Sequence, residues 1–278
     1  MHAKSLRLLE HAQEIIEGYE NAITLRQLYY QLVARQIIPN QQKYYTMLSR
    51  LCVIGRDEGI LPEEAFADRL RQVDKWGSWL DLNDYMATVR KAYTKDKWEE
   101  QDAYLEIWTE KDALRGVITP ITYHYDVALF VVRGQVSRTA IYQSYERYAE
   151  KVDEGKDCYL FYFGDFDPSG LSIFNSLKER LVCFGDAGKY ITFQRVALTP
   201  EQIAAYDLPS DPGKTSDHNY RRFVAEYGDN VVELDSLPPD ALRELVRDSI
   251  RSVIDYEVFI HAQEIESEER RRLQELEF

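Results

Sequence analysis

The sequence predicts an α/β protein, a helical N-terminal domain followed by a mostly parallel sheet flanked by helices. Three observations carry this. The apolar runs Ala103–Trp108, Val127–Val132, Cys158–Phe163 and Ile191–Leu198 read as buried strands. Helical patterns lie between them, such as Ile141, Tyr145 and Tyr148 at i, i+4 and i+7. Before residue 60 the periodicity is helical instead. Buried strands alternating with helices build a parallel sheet covered on both faces.

The elements follow in order. Leu8, Leu9, Ala12, Ile15, Ile16 and Tyr19 repeat at helical spacing over residues 3–20. Thr24 and Gln27 form a capping box, in which each side chain satisfies the other's free backbone N–H. The helix they open buries Leu25, Leu28, Tyr29, Leu32 and Val33 on one stripe. Pro39-Asn40 separates it from a third helix at about 41–57. Short helices with tight connections fit a small helical or winged-helix domain over residues 1–98. Residues 60–100 are mixed, and residues 94–102 read as a polar linker. The second domain spans 103–278. Near its end, 236-SLPPD-240 precedes a helix with Leu242, Leu245, Val246, Ile250 and Val253 facing inward.

Composition narrows the function classes. The 278 residues are 45% hydrophobic and 29% charged, enough for a core without disulfide staples. No apolar run approaches the length that spans a bilayer, which excludes a membrane partner of that kind. The first ten residues are charged and amphipathic rather than a secretion signal. Cys52, Cys158 and Cys183 are odd in number and lack a CxxC spacing, so a reducing cytoplasm is expected. The five histidines show no HExxH pattern, which argues against zinc. A net charge of −14 speaks against a nucleic-acid coat protein, although distribution matters more than the sum.

The chemistry concentrates at two strand ends. In a parallel α/β sheet, ligands bind beyond the carboxyl ends of the strands. The first strand runs into Glu110-Lys111-Asp112-Ala113, and the third runs into 164-GDFDPSG-170. Asp165 and Asp167 stand two apart on an extended segment, so their side chains are expected to point the same way. Three hard oxygen ligands, Glu110, Asp165 and Asp167, suit magnesium, which suits phosphoryl transfer. The competing reading of a DxD is a turn whose aspartate caps a helix. A calcium loop is excluded, since its twelfth position is Ser176 rather than glutamate. Pro212-Gly213-Lys214-Thr215 lacks the first glycine of a phosphate loop, so no ATP site is expected here. Glu233 and Asp235 follow the short apolar pair Val231-Val232 and are within reach of the metal site, with a solvated strand end as the favoured reading.

Tyr29 falls within the apolar stripe of the second helix, whereas Tyr30 falls off it on the side of Arg26, one turn earlier. An arginine there can bind a phosphate or stabilise a phenolate. The plainer alternative is a surface tyrosine stacked on arginine. Arg26, Lys43, Arg50, Arg56, Arg69 and Arg71 are the basic residues best placed in this half to meet a polyanion.

These motifs resemble a family, the A subunit of topoisomerase VI and the meiotic double-strand-break endonuclease, and in particular its compact bacterial, phage or plasmid relatives. Arg26-Gln27-Leu28-Tyr29-Tyr30 matches its Arg-x-x-Tyr-Tyr motif, Glu110-Lys111-Asp112-Ala113 its Glu-Lys-x-Ala, and Asp165 to Gly170 its Asp-x-Asp-Pro-x-Gly. Arg133-Gly134-Gln135 with Ser137-Arg138 looks like its Gly-rich segment. The likeness runs from about residue 20 to 255 with the motifs in order. It implies a winged-helix domain joined to a Toprim domain, with Tyr30 as the nucleophile, Arg26 beside it, and magnesium on Glu110, Asp165 and Asp167. It implies Mg-dependent cleavage of double-stranded DNA by a homodimer with each tyrosine facing the partner's metal site, and a possible separate ATPase subunit. Two alternatives stay open at this stage, a Toprim nuclease that hydrolyses DNA without a tyrosine link and a DNA-binding or interaction module without turnover.

Overall fold

Helix α1 (Ala3–Glu17) buries Leu8, Leu9, Ala12 and Ile15, the stripe that its spacing requires. A computed structural model of the chain describes residues 3–19, 22–66 and 77–275. Helix α2 (Leu25–Ala34) starts at Thr24, whose hydroxyl accepts from the Gln27 N–H while the Gln27 side chain accepts from the Thr24 N–H, so the expected capping box is formed. Leu28, Tyr29, Leu32 and Val33 on α2 meet Leu48, Leu51 and Cys52 of α3 (Gln42–Asp57) in one core. Gly55 lets α1 approach α3, because a Cβ there would lie 2.9 Å from the Leu9 side chain. Three packed helices are therefore present. A wing is not seen among the described residues of this half, where the only strand pairing is the parallel bridge of Ile23 with Phe66. Arg69 and Arg71 lie outside the described residues.

Helix α4 (Leu82–Ala92) leads to the stretch expected to be a polar linker, and here the structure corrects the sequence reading. Trp98 is buried and its indole N–H donates to the Tyr125 carbonyl at 2.7 Å. Lys97 is buried against Glu266 at 2.9 Å, and Gln101 exchanges hydrogen bonds with the Asp255 backbone. The segment is polar because its polar groups tie it to the C-terminal helices.

Strands β1 (Ala103–Thr109), β2 (Ala128–Val131), β3 (Asp157–Phe163) and β4 (Ile191–Ala197) form the expected sheet, all parallel, in the order β2-β1-β3-β4. Their crossovers are α5 (Arg115–Tyr125), α6 (Arg138–Asp153) and α7 (Pro168–Phe184). Alternate residues face opposite layers. Leu105, Ile107, Phe161 and Phe163 pack toward α5, α10 (Pro239–Arg251) and α11 (Tyr256–Glu275). Trp108, Leu160 and Tyr162 pack toward α6 and α7. Between β4 and α10 lie α8 (Pro200–Ala205), α9 (Tyr220–Tyr227) and the short antiparallel pair β5 (Asp211–Pro212) and β6 (Asn230–Val231). Pro212 pairs with Asn230, and the Gly213 N–H donates to the Asp229 carbonyl at 3.0 Å.

The register places the chemistry. Thr109 sits opposite Val131 on one side and Phe163 on the other, so the carboxyl ends of β1 and β3 are level. The crossover after β1 returns on one side and that after β3 leaves on the other, which makes the β1–β3 edge the topological switch point. Glu110 and the 164–170 loop flank that point. No helix among the described residues is long and apolar enough to cross a membrane.

Candidate active site at the sheet's carboxyl edge

The backbone first fixes Glu110, whose N–H donates to the Phe163 carbonyl at 2.9 Å as the last rung of the β1–β3 ladder. Its Oε2 accepts from the Asp165 N–H at 3.2 Å and from the Tyr162 hydroxyl at 3.4 Å. Burial, together with the charge of Asp165, pushes the Glu110 carboxyl up to about 7. Asp167 caps α7, accepting from the Gly170 N–H, and Pro168 follows at the first helical position. The capping reading of the DxD is thus correct for Asp167. Burial also raises Asp167 above the usual carboxylate range, with Asp165 adding to the effect.

Gly170 opens a cradle between these two acids. A Cβ on it would stand 3.1 Å from Asp167 Oδ1 and 3.2 Å from Glu110 Oε2, and would also strike the Asp165 carbonyl. A side chain there would fill the space that the two carboxylates share. Beneath the loop, the half-buried Arg195 donates to the carbonyls of Gly164 at 3.1 Å, Gly170 at 3.3 Å and Asp165. Its guanidinium holds the loop through neutral carbonyls rather than through the carboxylates.

The charge of Asp165 raises both Glu110 and Asp167, and its carboxylate also has partners of its own. Phe166 pairs with Val232 in an antiparallel bridge, and this turns Asp165 toward the chain at 233–235. Asp165 Oδ1 accepts from the Leu234 N–H at 2.7 Å, and Oδ2 pairs with the Lys111 ammonium at 2.9 Å. Among the described residues, no three acidic, histidine or cysteine side chains are placed as a closed metal-ligand set. Glu110 and Asp167 are brought together over Gly170, while Asp165 is held by Lys111.

Lys111 centres a second cluster that the sequence reading missed. Its ammonium contacts Asp165, Glu233 and, at 3.8 Å, Asp235. Glu233 and Asp235 are not a solvated strand end. Asp235 is fully buried, its two carboxylate oxygens have no hydrogen-bond partner, and burial raises it despite Lys111. Burial alone lowers an ammonium, but Asp235 and Asp165 outweigh it and hold Lys111 above its usual value. The signal available in the sequence was the lysine directly after Glu110, a cation built into an acidic strand end.

The helical domain docks onto this cluster. The Gln31 amide donates to the carbonyls of Asp235 at 2.9 Å and Leu237 at 3.3 Å, and Asn40 donates to Asp211. Tyr29 is core, as its place on the stripe requires, and its hydroxyl donates to Asn40 Oδ1 at 3.0 Å. Tyr30 projects instead. Its hydroxyl receives a hydrogen bond from Arg26 Nη2 at 3.3 Å and donates to Glu233 Oε1 at 3.3 Å. The Arg26 guanidinium lies 5.3 Å and the Lys111 ammonium 5.5 Å from the ring centroid. Burial pushes the phenol up and Arg26 pulls it back. A cleft of about 270 Å³ opens at Tyr30, lined by Arg26, Asn40, Gln41, Gln42 and Tyr45. The two domains therefore fold back on each other, and one chain places its own Tyr30 beside its own Glu233 and Lys111.

The other basic candidates divide. Lys43 and Arg50 are exposed and lie two turns apart on one face of α3. Arg56 is committed locally, to Glu63 at 3.3 Å, the Cys52 carbonyl and the Phe66 ring. Arg133 pairs with Asp112 at 2.8 Å, and Ser137 caps α6, so the segment resembling a Gly-rich motif orders the β2–α6 turn. Comparison with known proteins finds no matching family model, no matching curated protein and no matching solved structure.

Proposed function

We propose that this chain cleaves DNA by tyrosine transesterification in a magnesium-dependent reaction, in the manner of the topoisomerase VI A-like proteins its motifs resemble. One observation carries the reading. The projecting hydroxyl of Tyr30, flanked by Arg26, stands at the same edge of the fold as the acids of β1 and β3, with a cleft before it. A phenol beside a guanidinium is suited to attack a phosphodiester. A bond forms between Tyr30 Oη and phosphorus, the bond from phosphorus to a sugar oxygen breaks, the phenolic proton departs, and the sugar oxygen is protonated. Arg26 steadies the negative charge that gathers on the phosphate oxygens.

The donor set fits a hard divalent cation. Glu110 and Asp167 present oxygens to one space kept clear by Gly170, and both carboxyls are raised, first by burial and then by the charge of Asp165. These two residues would hold magnesium, with Asp165 joining once Lys111 releases it. When bound, the metal supplies positive charge to orient and polarise the phosphate. The test is to incubate the protein with supercoiled and linear duplex DNA in magnesium, quench with detergent, and separate protein-linked from free DNA ends. Protein-linked ends that vanish in Tyr30→Phe are expected.

A second reading, hydrolysis by water without a tyrosine link, is favoured by one feature. Glu110 and Asp167 share their space over Gly170, whereas Asp165 and Lys111 stand on the Tyr30 side. Free ends that persist in Tyr30→Phe and vanish in Asp167→Ala would select it.

A further inference from the structure

Glu233 stands in an unusual place. Its Oε1 accepts from the Tyr30 hydroxyl at 3.3 Å. Its Oε2 is paired with Lys111 and lies 3.9 Å from Arg26 Nη2. One carboxylate is thus gripped by two cations and a phenol, contributed by two domains. These groups are of the kind that hold a phosphate, with a guanidinium and an ammonium for its charge and a hydroxyl as donor. The side chains differ in freedom. Lys111 is 10% exposed, Glu233 33% and Arg26 56%. The ammonium is fixed, while the carboxylate has a route to solvent and the guanidinium can follow an incoming ligand.

Lys111 does not depend on Glu233 for its pairing. Asp165 at 2.9 Å and Asp235 at 3.8 Å stay on its buried side when Glu233 moves away. Tyr30 likewise keeps its bond from Arg26. The three groups therefore remain in position around the space that Glu233 vacates. That space lies against the hydroxyl that must meet phosphorus at about 3–3.5 Å in any attack.

We propose that Arg26, Lys111 and Tyr30 form a seat for one phosphodiester group, and that Glu233 fills this seat in the free protein as an internal mimic of the phosphate. DNA binds by displacing the Glu233 carboxylate, which holds the nucleophile covered until a backbone phosphate replaces it. The role assigned to the phosphate rests on the tyrosine-cleavage reading, but the seat is a binding site and is measured without cleavage.

The test removes the mimic and keeps its shape. Glu233→Gln, with Glu233→Ala as a second variant, is compared with the wild type and with Glu233→Gln/Arg26→Ala. All are kept in EDTA so that no cleavage occurs. Two probes are used, a fluorescein-labelled duplex followed by anisotropy and inorganic phosphate followed by the shift in melting temperature. Removing one screened like-charge contact should tighten duplex binding about tenfold, and the added Arg26→Ala should abolish the gain. Phosphate should raise the melting temperature of Glu233→Gln and leave the wild type and the double variant unmoved. If no protein binds duplex yet phosphate shifts Glu233→Gln alone, the seat stands and the DNA-cleavage reading falls. If both single variants bind both probes no better than the wild type, or if the gain survives Arg26→Ala, the seat is overturned.

Discussion

Glu110→Gln should make the metal-free protein more stable at neutral pH and remove much of its pH dependence. The folded protein raises this carboxyl from its usual 4.5 to about 7, with burial as the first cause and Asp165 the second. A raised carboxyl binds its proton more tightly in the folded than in the unfolded chain. Stability is therefore fullest below pH 4.5 and is lost as pH rises to about 7. The rise corresponds to a loss of about 3 kcal/mol. Glutamine keeps an oxygen to accept from the Asp165 N–H and the Tyr162 hydroxyl, so the hydrogen bonds of the site need not be given up. At pH 8 in EDTA the variant should exceed the wild type by up to about 3 kcal/mol, on the order of 6–10 °C in melting temperature for a chain of this size. The two should converge near pH 4.5.

Magnesium should reverse the order. A cation held at Glu110 and Asp167 stabilises the folded wild type in proportion to its occupancy, while Glu110→Gln, lacking one of the two charges, should gain little. The assay is urea or thermal denaturation from pH 4 to pH 8.5, with and without magnesium. Parallel pH profiles for the two proteins, or a variant less stable than the wild type at pH 8 in EDTA, would refute the argument from burial.

Four further outcomes are expected. Asp167→Ala should abolish magnesium-dependent cleavage while changing stability by less than about 1 kcal/mol, because the lost cap of α7 is offset by relief of repulsion near Glu110; activity assays and denaturation check the two halves separately. Arg195→Ala removes a donor from the carbonyls of Gly164, Asp165 and Gly170, of which Gly164 keeps the Leu198 N–H, and should cost about 1–3 kcal/mol in chemical denaturation. Mixing Tyr30→Phe with Asp167→Ala protein should restore no cleavage, since Tyr30 meets Glu233 and Lys111 of its own chain; recovery of nicking would show that sites are shared between chains. Duplex affinity should fall steeply between 50 and 200 mM salt, as phosphate contacts release counter-ions, and Lys43→Ala with Arg50→Ala should flatten that slope.

Much of this fold was legible because its signals are local. Four strands announced themselves as apolar runs bounded by turns, and α2 by Thr24 and Gln27 three residues apart. The acids were legible because a parallel sheet delivers its strand ends to one edge. What the sequence hid was set by contacts between distant segments. Asp165 is tied to the Leu234 N–H and to Lys111 beside the Phe166–Val232 bridge, and no local pattern encodes those partners. Residues 94–102 looked like a linker because Lys97 and Gln101 are polar, yet their partners, Glu266 and Asp255, lie at the far end of the chain. Tyr30 could be placed off the stripe by periodicity, but not beside Glu233.

Two buried acids of this protein differ in how their charge is met, and the difference bears on the proposed phosphate seat. Glu106, also fully buried, accepts from Arg147 at 2.8 and 3.0 Å, from the Tyr104 hydroxyl at 2.7 Å and from the Trp108 indole at 2.7 Å. Both its oxygens are satisfied, as a structural carboxylate in a core requires. Asp235 is buried as completely and its carboxylate has no hydrogen bond, only an ammonium 3.8 Å away that is also claimed by Asp165 and Glu233. Three carboxylates around one ammonium leave charge uncompensated, and an apolar residue at 235 would be easier to bury. Such an arrangement weakens the fold locally and gains one property in return. The cation stays fully charged and fixed, while its outermost partner, Glu233, can be exchanged for another anion without leaving Lys111 unpaired. A phosphate backbone arriving at Tyr30 is an anion of the right kind to make that exchange.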